Sequence, residues 1–316
     1  MKKAFEKLNL RDYGVLLGFL ALCIAISIAT PSFLGKQNIL NLLRQSSIIG
    51  IISAGMTFVI ISGNFDISVG AVAALAGAIT MKFATGGTNL FASMLLGIAI
   101  CAVIGLINGI VVAKINVPSL IATMAMVTIV RGLLLMLTGG YPITENIPIL
   151  DYIGNGYLFN IPIPVVIFFI VVLASFIVLN KTKFGRYVYS VGGNQEASKL
   201  NGINVDSHKV KVFIINAVFA GIAGIVLTGR LGTATAIAGE GYDMDAIASV
   251  VIGGTSVAGG SGSVLKTVIG VLLMSVINNS FNLLGIDVYF QYIFKGLIIL
   301  AAVGFDSYSK KKLASR

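Results

Sequence analysis

The chain has 316 residues, of which 22 are basic, 12 are acidic and 57% are hydrophobic. A soluble domain carries about 25% charged residues, whereas this chain carries 11%, too few to cover a water-facing surface of its size. The composition therefore excludes a soluble enzyme. A transmembrane helix needs about 20 mostly apolar residues, and the apolar content fits roughly nine or ten of them. The composition predicts a polytopic integral membrane protein.

Windows free of charged residues locate ten predicted membrane spans. We expect an uncleaved first helix rather than a signal peptide, because many further spans follow it. The eighth span is short and rich in glycine, so we expect a broken or re-entrant segment there. In chain order, the predicted spans lie near residues 13–30, 46–62, 66–83, 91–113, 119–138, 162–180, 210–229, 244–258, 263–283 and 287–304.

Basic residues predict which loops face the cytoplasm, because they are enriched on the inner side of a membrane. With the N-terminus inside and ten alternating spans, 16 basic residues lie inside and 4 outside, while Arg131 and Lys295 fall within spans. Both termini and the long polar loop at 181–211 are therefore expected in the cytoplasm. This distribution accounts for most of the net charge of +10, so no nucleic-acid partner is expected.

Two stretches of the sequence resemble each other. Asp66 lies 11 residues before Gly77, and Asp243 lies 11 residues before Gly254. This and other matches link each span with the span five positions later, which predicts an internal repeat. Because five is odd, the two halves are expected to lie inverted in the membrane, an architecture typical of transporters. The predicted divisions are a single domain at 1–316, a first repeat at 1–140 and a second repeat at 160–305.

Charged and amide side chains also fall in or at the ends of the predicted spans. Charges at membrane depth are costly, so they usually face protein or a water-filled cavity. For the asparagines, the sequence leaves open whether they join helices or line a path for a polar solute. Arg131, near the middle of the fifth span, favours a functional or subunit-pairing role. The residues concerned are Asp66, Asn108, Arg131, Asn278, Asn279, Asn282 and Lys295.

The scarcity of reactive residues argues against several other kinds of site. The chain has one histidine, His208, and two cysteines, so neither a metal site nor a disulfide framework is expected. The glycine-rich stretch at 253–262 lacks the Gly-Lys-Ser/Thr sequence of a phosphate-binding loop, and we expect a tight turn instead. No nucleotide site is therefore expected in this chain.

The loop at 181–211 contains the signals of a short surface helix. Asn194 is a suitable helix N-cap, and the acidic Glu196 in the first turn is favoured by the helix dipole. Gly202 suits the C-terminal cap. These residues predict a helix at about 195–201.

Glu196-Ala197-Ser198, followed by Gly202, is similar to the coupling motif of ABC importer permeases, with Ser in place of the second Ala. Several further motifs complete a resemblance to the ribose-type sugar permease family, which extends from about residue 15 to residue 305. These motifs are Gly-Arg-Tyr-x-Tyr at 185–189, Gly-Gly-Asn at 192–194, Gly-Ile-Asn-Val at 202–205, Ser-Gly-Asn-Phe-Asp-Ile-Ser-Val-Gly at 62–70, Gly-Tyr-Asp-Met-Asp-Ala-Ile-Ala at 241–248 and the glycine-rich stretch at 253–262.

The resemblance implies an all-α membrane subunit in the plasma membrane of a prokaryote. Its partners would be a second permease subunit, a pair of ATPase subunits and an extracytoplasmic solute-binding protein. ATP and Mg²⁺ would be bound by the ATPase, and this chain would hold no cofactor. The binding protein would dock on the outer loops at 139–161 and 230–243. The residues expected to couple this chain to the ATPase are Gly192, Gly193, Asn194, Glu196, Ala197 and Gly202.

A sugar permease needs a path of amide and hydroxyl groups without strong charge, from which a neutral solute is easily released. On residue type and repeat position, the candidates for this path are Asn108, Thr255, Ser275, Asn278, Asn279 and Asn282. The charged candidates, with structural or path-lining roles, are Asp66, Arg131, Asp243 and Lys295. A cysteine at position 198 is expected to crosslink to the ATPase, whereas a cysteine at position 145 is not.

Two other functions remain open at this point. ABC permeases for polyols, nucleosides, signalling sugars or branched-chain amino acids share related architecture, although a zwitterion would need charged partners, which are few here. An ion-coupled secondary transporter also uses inverted five-helix repeats, with Asp66 as its ion site. The loop at 181–211 argues against that second function. An intramembrane enzyme is a distant third, because no catalytic set is visible.

Overall fold

The computed structural model describes residues 10–314, with side chains for residues 14–301, 303 and 304. Within that part of the chain there are thirteen α-helices, one short 3-10 helix at Pro31–Leu34 and four strands of two residues each. The helices are α1 (Leu10–Ala29), α2 (Lys36–Ile61), α3 (Val69–Thr85), α4 (Leu90–Ala113), α5 (Ser119–Thr138), α6 (Pro148–Asn155), α7 (Ile163–Lys181), α8 (Lys183–Gly193), α9 (Gln195–Leu200), α10 (Val205–Leu231), α11 (Tyr242–Ile252), α12 (Val264–Leu283) and α13 (Val288–Ala314). The strands are β1 (Ile143–Thr144), β2 (Tyr157–Leu158), β3 (Ile161–Pro162) and β4 (Thr233–Ala234).

Each of the ten predicted spans overlaps a helix of the structure. Among the described residues, six helices are long and apolar enough to cross a membrane: α2, α4, α5, α7, α10 and α12. Shorter apolar stretches lie at Gly14–Ala29, Val69–Thr85 and Val288–Ala301. The prediction of a helical, multi-pass membrane protein is therefore confirmed. The predicted cytoplasmic ends of the chain, at 1–9 and 315–316, lie outside the described residues.

Helix α10 lies at the centre of the bundle and packs against α2, α3 and α4. Glycines on α4 allow the closest of these approaches. A Cβ atom at Gly105 would lie 2.6 Å from the carbonyl oxygen of Phe213, and one at Gly109 would lie 2.7 Å from the Cα atom of Val210. In a membrane the hydrophobic effect does not drive helices together, and small residues favour their association by letting the backbones pack closely.

Helices α3 and α11 both begin in the interior of the bundle. Asp66, just before α3, contacts Asn216, which lies about 17 Å from one end of α10 and about 23 Å from the other, at 1.5 Å per residue. Gly70, in the first turn of α3, is in backbone contact with Gly239, just before α11. The segment at 232–241 therefore turns back from the end of α10 into the bundle.

The eighth predicted span corresponds to α11, which has only 11 residues. This helix is about 17 Å long, too short for a hydrocarbon core of about 30 Å. The eighth span is therefore short, as the sequence predicts, and its broken or re-entrant course in the membrane stays a prediction.

The two predicted outer loops meet at one end of the bundle, called here the α6 end. Strand β1 pairs with β4 in an antiparallel ladder. Helix α6 packs against the last turn of α10, where Gly154 and Gly229 allow the two backbones to touch. Arg44 donates from Nη2 to the carbonyl oxygen of Asn155 at 3.0 Å, which fastens α6 to the third turn of α2.

Candidate functional site

Helix α9 is a separate, well-capped helix at the other end of the bundle, the α9 end. The side chain of Asn194 accepts a hydrogen bond from the backbone N–H of Ala197 at 2.9 Å. Gly202 adopts a positive φ of 78°, and the N–H of Ile203 donates to the carbonyl oxygen of Ser198 at 3.0 Å. Both caps lie where the sequence predicted them, and the helix spans Gln195–Leu200.

The outward face of α9 consists of Glu196, Ala197 and Leu200. The side chain of Glu196 is 82% exposed and lies 3.5 Å from Lys199, while Leu200 is 89% exposed. Ser198 faces inward, with its Oγ atom 2.8 Å from that of Ser190. The choice of position 198 for crosslinking is therefore corrected to Ala197, which is exposed.

Beneath α9, three backbone segments meet in a contact that we call the glycine junction: Ile61, Gly63, Gly192, Gly259 and Gly260. The N–H of Gly260 donates to the carbonyl oxygen of Ile61 at 2.8 Å. A Cβ atom at Gly192 would overlap that same carbonyl oxygen, and one at Gly259 would lie 2.9 Å from the Cα atom of Gly63. The junction joins the end of α8 to the α2–α3 turn and to the glycine-rich stretch at 253–262.

Two side chains also attach α8 and α9 to the bundle. The hydroxyl of Tyr189 donates to the carbonyl oxygen of Gly262 at 3.0 Å. Burial raises the pKa of Tyr189 further above neutral pH, so the phenol stays a donor. Lys209, on α10, donates from Nζ to Oε1 of Gln195 at 2.9 Å. Together with the glycine junction, these side chains attach α8 and α9 to the α2–α3 turn, to the glycine-rich stretch and to α10.

Asp66 lies at the centre of a buried hydrogen-bond network. Its Oδ1 atom accepts from the N–H and the hydroxyl of Ser68, at 2.9 and 2.6 Å. Its Oδ2 atom accepts from Nδ2 of Asn216 at 2.9 Å. Asn108 donates to the hydroxyl of Ser68 at 3.1 Å. The network joins α3, α4 and α10 at the point where α3 begins, and a carboxylate there is favoured by the helix dipole.

Arg131 fastens the segment that turns back into the bundle. Its Nη1 atom donates to the carbonyl oxygen of Ala236 and, at 3.1 Å, to that of Ala238. Glu240 and Asp243 are close enough to interact with the guanidinium group electrostatically. Arg131 therefore neutralises acidic groups at the start of α11. It also supplies hydrogen-bond donors to carbonyl oxygens of the non-helical segment between α10 and α11.

Lys295, the other basic residue within a predicted span, forms an ion pair with a different part of α11. Its Nζ atom lies 3.0 Å from both carboxylate oxygens of Asp245. The side chain of Asn278 also lies near the carboxylate of Asp245. The ion pair connects α11 to α13, and Asn278 adds α12.

The six predicted path residues lie in several different parts of the structure and do not form one cluster. Asn108 belongs to the Asp66 network and Asn278 to the Asp245 ion pair. Asn279 exchanges two amide hydrogen bonds with Asn38, at 3.0 and 2.8 Å, and the exposed Asn282 accepts one from Gln291 at 3.1 Å. The remaining two, Thr255 and Ser275, have buried hydroxyl oxygens without a hydrogen-bond partner.

Sequence reasoning missed three of the polar partners: Asn38, Asn216 and Asp245. Asn216 stands alone in an apolar stretch of α10, which is a usable signal of a buried hydrogen bond. Within residues 10–314, no group of three or more His, Cys, Asp or Glu residues is placed to hold a metal ion.

These features define a class of protein: a helical, multi-pass membrane protein with short helices at one end and a segment re-entering from the other. The chain belongs to a known family, described as "branched-chain amino acid transport system / permease component", which it matches over residues 38–303. The resemblance to the ribose-type sugar permeases is also confirmed by individual relatives.

The chain is 43% identical to the ribose import permease protein RbsC of Haemophilus influenzae over 303 residues, which cover 93% of this chain and 94% of that protein. It is 42% identical to the ribose import permease protein RbsC of Bacillus subtilis, over 94% of this chain and 93% of that one. The xylose transport system permease protein XylH of Haemophilus influenzae is 34% identical, over 98% and 99% of the two chains. No solved structure matches the chain.

Proposed function

We propose that this chain is the membrane subunit of an ATP-driven importer that carries a monosaccharide, ribose or a related pentose, into the cytoplasm of a prokaryote. Relatives named for ribose and xylose transport, at 34–43% identity over nearly the whole chain, support the substrate class. An ATPase subunit, an external binding protein and a second permease subunit complete the transporter. ATP and Mg²⁺ bind to the ATPase.

The observation that carries the proposal is the exposed helix α9 on top of the glycine junction. Leu200, Ala197 and Glu196 offer a small surface with an apolar centre, suitable for insertion into a groove of another protein. The junction below connects this surface to the turn that precedes α3 and to the glycine-rich stretch that follows α11. A displacement of α9 would therefore be transmitted to the interior of the bundle through backbone contacts.

The arrangement in the membrane is part of the same proposal. Ten spans cross or enter the membrane, both termini and the loop at 181–211 face the cytoplasm, and the two halves are inverted repeats. The excess of basic residues near the α9 end supports this orientation. The similar lengths of α2 and α10, each followed by a turn inward and a helix that starts beside an aspartate, support the repeat.

Only some of the six path candidates keep their proposed role. Asn108 and Asn279 are engaged in hydrogen bonds between helices, which favours structural roles for these two. The buried hydroxyls of Thr255 and Ser275 remain candidates for contact with a passing solute, because each is left without a protein partner. The binding protein would supply much of the selectivity, so a tight site in the membrane is not required.

The strongest alternative is a permease for another small polar solute. The description of the family names branched-chain amino acids. A zwitterion needs one cationic and one anionic partner, yet Lys295 is already neutralised by Asp245, and Arg131 is engaged by two carbonyl oxygens. A neutral sugar fits these interactions better.

Uptake by the complete transporter tests the proposal. We expect proteoliposomes that contain the permease, its ATPase and its binding protein to accumulate radiolabelled ribose or another pentose when ATP is supplied to the ATPase side. Accumulation should persist with an uncoupler and stop without ATP, because no ion gradient drives it. Accumulation that needs an ion gradient and not ATP would establish a secondary transporter instead. Uptake of leucine but of no sugar would establish the amino-acid alternative.

A further inference from the structure

An open cavity of about 260 Å³ lies between the start of α11 and the first half of α13. At about 30 Å³ of liquid volume for each water molecule, this space equals roughly nine waters, which suits a solute the size of a monosaccharide. Its polar lining residues are Glu240, Gln291, Tyr292 and Lys295. Met244 and Ile299 contribute apolar surface to the same wall.

The cavity extends from the start of α11, inside the bundle, to Val288 at the start of α13. The start of α11 is close to the contact between Gly239 and Gly70 in the first turn of α3. Lys295 lies about 11 Å along α13 from Val288, at 1.5 Å per residue. Ammonium and carboxylate groups at such depth face protein or water rather than lipid. The open side of the cavity is therefore expected to face a water-filled space within the transporter.

The chemistry of the lining matches a neutral polyhydroxy solute. Glu240 offers acceptors for hydroxyl groups, and the hydroxyl of Tyr292 can both donate and accept. The amide nitrogen of Gln291 already donates to Asn282 and to the carbonyl oxygen of Ile286, at 3.1 and 3.0 Å, so its carbonyl oxygen is the group offered to a ligand. The ring of Tyr292 and the side chain of Met244 supply apolar surface for the C–H face of a sugar ring.

Charge in the cavity is balanced in a way that permits release. Lys295 is held by both oxygens of Asp245, so its ammonium group can donate to a hydroxyl without presenting an unpaired charge. The remaining charge in the lining, that of Glu240, interacts with Arg131. A site built from neutral groups and compensated charges binds a sugar weakly. Weak binding is what a conducting path requires, because a solute must leave as readily as it arrives.

We propose that this cavity is a sugar-binding site within the permease, where Gln291, Tyr292 and Glu240 contact the hydroxyl groups of the solute. The inference rests on the proposed function and adds to it a location and a set of residues. None of the three was among the path candidates taken from the sequence. Lys295, which the sequence selected as a charged candidate, lines the same cavity.

The test compares Tyr292→Phe and Gln291→Leu with the unmodified chain in the complete transporter in proteoliposomes. We expect each variant to raise the KM for pentose uptake severalfold and to change the order of preference among ribose, xylose and arabinose, because each removes a hydrogen-bonding group. ATP hydrolysis stimulated by the loaded binding protein should stay within twofold of the unmodified transporter, which shows that assembly and coupling are intact.

Tyr289→Phe is the matched control, since Tyr289 is an exposed tyrosine of the same helix outside the lining of the cavity. It should leave the KM and the sugar preference unchanged. Unaltered KM and preference in Tyr292→Phe, Gln291→Leu and Glu240→Gln would overturn the proposed site while leaving sugar import in place. Absence of sugar uptake by the unmodified transporter would instead refute the proposed function on which the site rests.

Discussion

The buried carboxylate of Asp66 shows how single residues hold this fold together. A charged group in an apolar interior is costly unless hydrogen bonds compensate it. Here three donors do so: the N–H and hydroxyl of Ser68 and the amide of Asn216. The Ser68 donors are local, but the amide comes from another helix. The network therefore fixes where α3 starts relative to α10.

Asn216→Leu tests this dependence with a residue of similar size. We expect the free energy of unfolding to fall by about 1–3 kcal/mol, because Oδ2 of Asp66 loses its donor in a buried place. Thermal unfolding of the detergent-solubilised protein measures the change as a lower apparent Tm. Asn180→Leu, at an exposed asparagine of α7, is the control and should leave Tm nearly unchanged. Equal Tm values for the two variants would contradict the role of Asn216.

Some of these residues could be recognised from the sequence and others could not. Asp66, Arg131 and Lys295 stand out because a charge within an apolar stretch needs a compensating environment. The partners of Arg131 do not stand out, because the carbonyl oxygens of Ala236 and Ala238 carry no side-chain signal at all. Only the folded chain shows that Arg131 serves a backbone segment rather than a solute.

At the scale of helices and turns, prediction succeeded where local chemistry decides the outcome. The spans follow from apolar stretches bounded by charges, and the caps of α9 at Asn194 and Gly202 follow from residue type. The length of α11 was harder to predict, since it ends at Gly253 against the backbone of α12. The glycine junction could not be predicted, because the contacting glycines lie in three distant segments.

Gly192→Ala tests the glycine junction. Its Cβ atom would overlap the carbonyl oxygen of Ile61, so we expect the end of α8 to be displaced and ATP-driven uptake to fall at least tenfold. Gly193→Ala is the control, because a Cβ atom there would lie 3.9 Å from the Cα atom of Gly260, an ordinary contact. Uptake by both variants, normalised to protein inserted in the membrane, measures the difference. Full activity of Gly192→Ala would show that the contact is not required.

At the scale of the whole molecule, the two ends of the bundle have different characters. The α9 end combines a small exposed helix with backbone contacts that lead inward. The α6 end carries the β1–β4 ladder and α6, which hold together the two segments predicted to receive a binding protein. The sequence predicted which loops share an end, because alternating spans fix that. It did not predict that residues 232–241 leave the α6 end and reach Gly70.

Site-directed crosslinking tests which end meets the ATPase. With a short bifunctional reagent, a cysteine introduced by Ala197→Cys should crosslink to the ATPase subunit, because Ala197 is on the exposed face of α9. Ser198→Cys is the neighbouring control and should react little, since that side chain is buried against Ser190. Glu145→Cys, exposed at the α6 end, should not react with the ATPase. Equal crosslinking from positions 197 and 145 would contradict the proposed docking of α9.

The long separation between Asp66 and Asn216 has a consequence for biosynthesis. The two residues are 150 positions apart, and at about 5–20 residues per second the ribosome needs about 8–30 s to make the intervening chain. Arg131 likewise precedes its acceptor Ala236 by 105 positions. The early half of the polypeptide is therefore made well before the groups that compensate its charges, and we expect it to need protection by the insertion machinery during that interval.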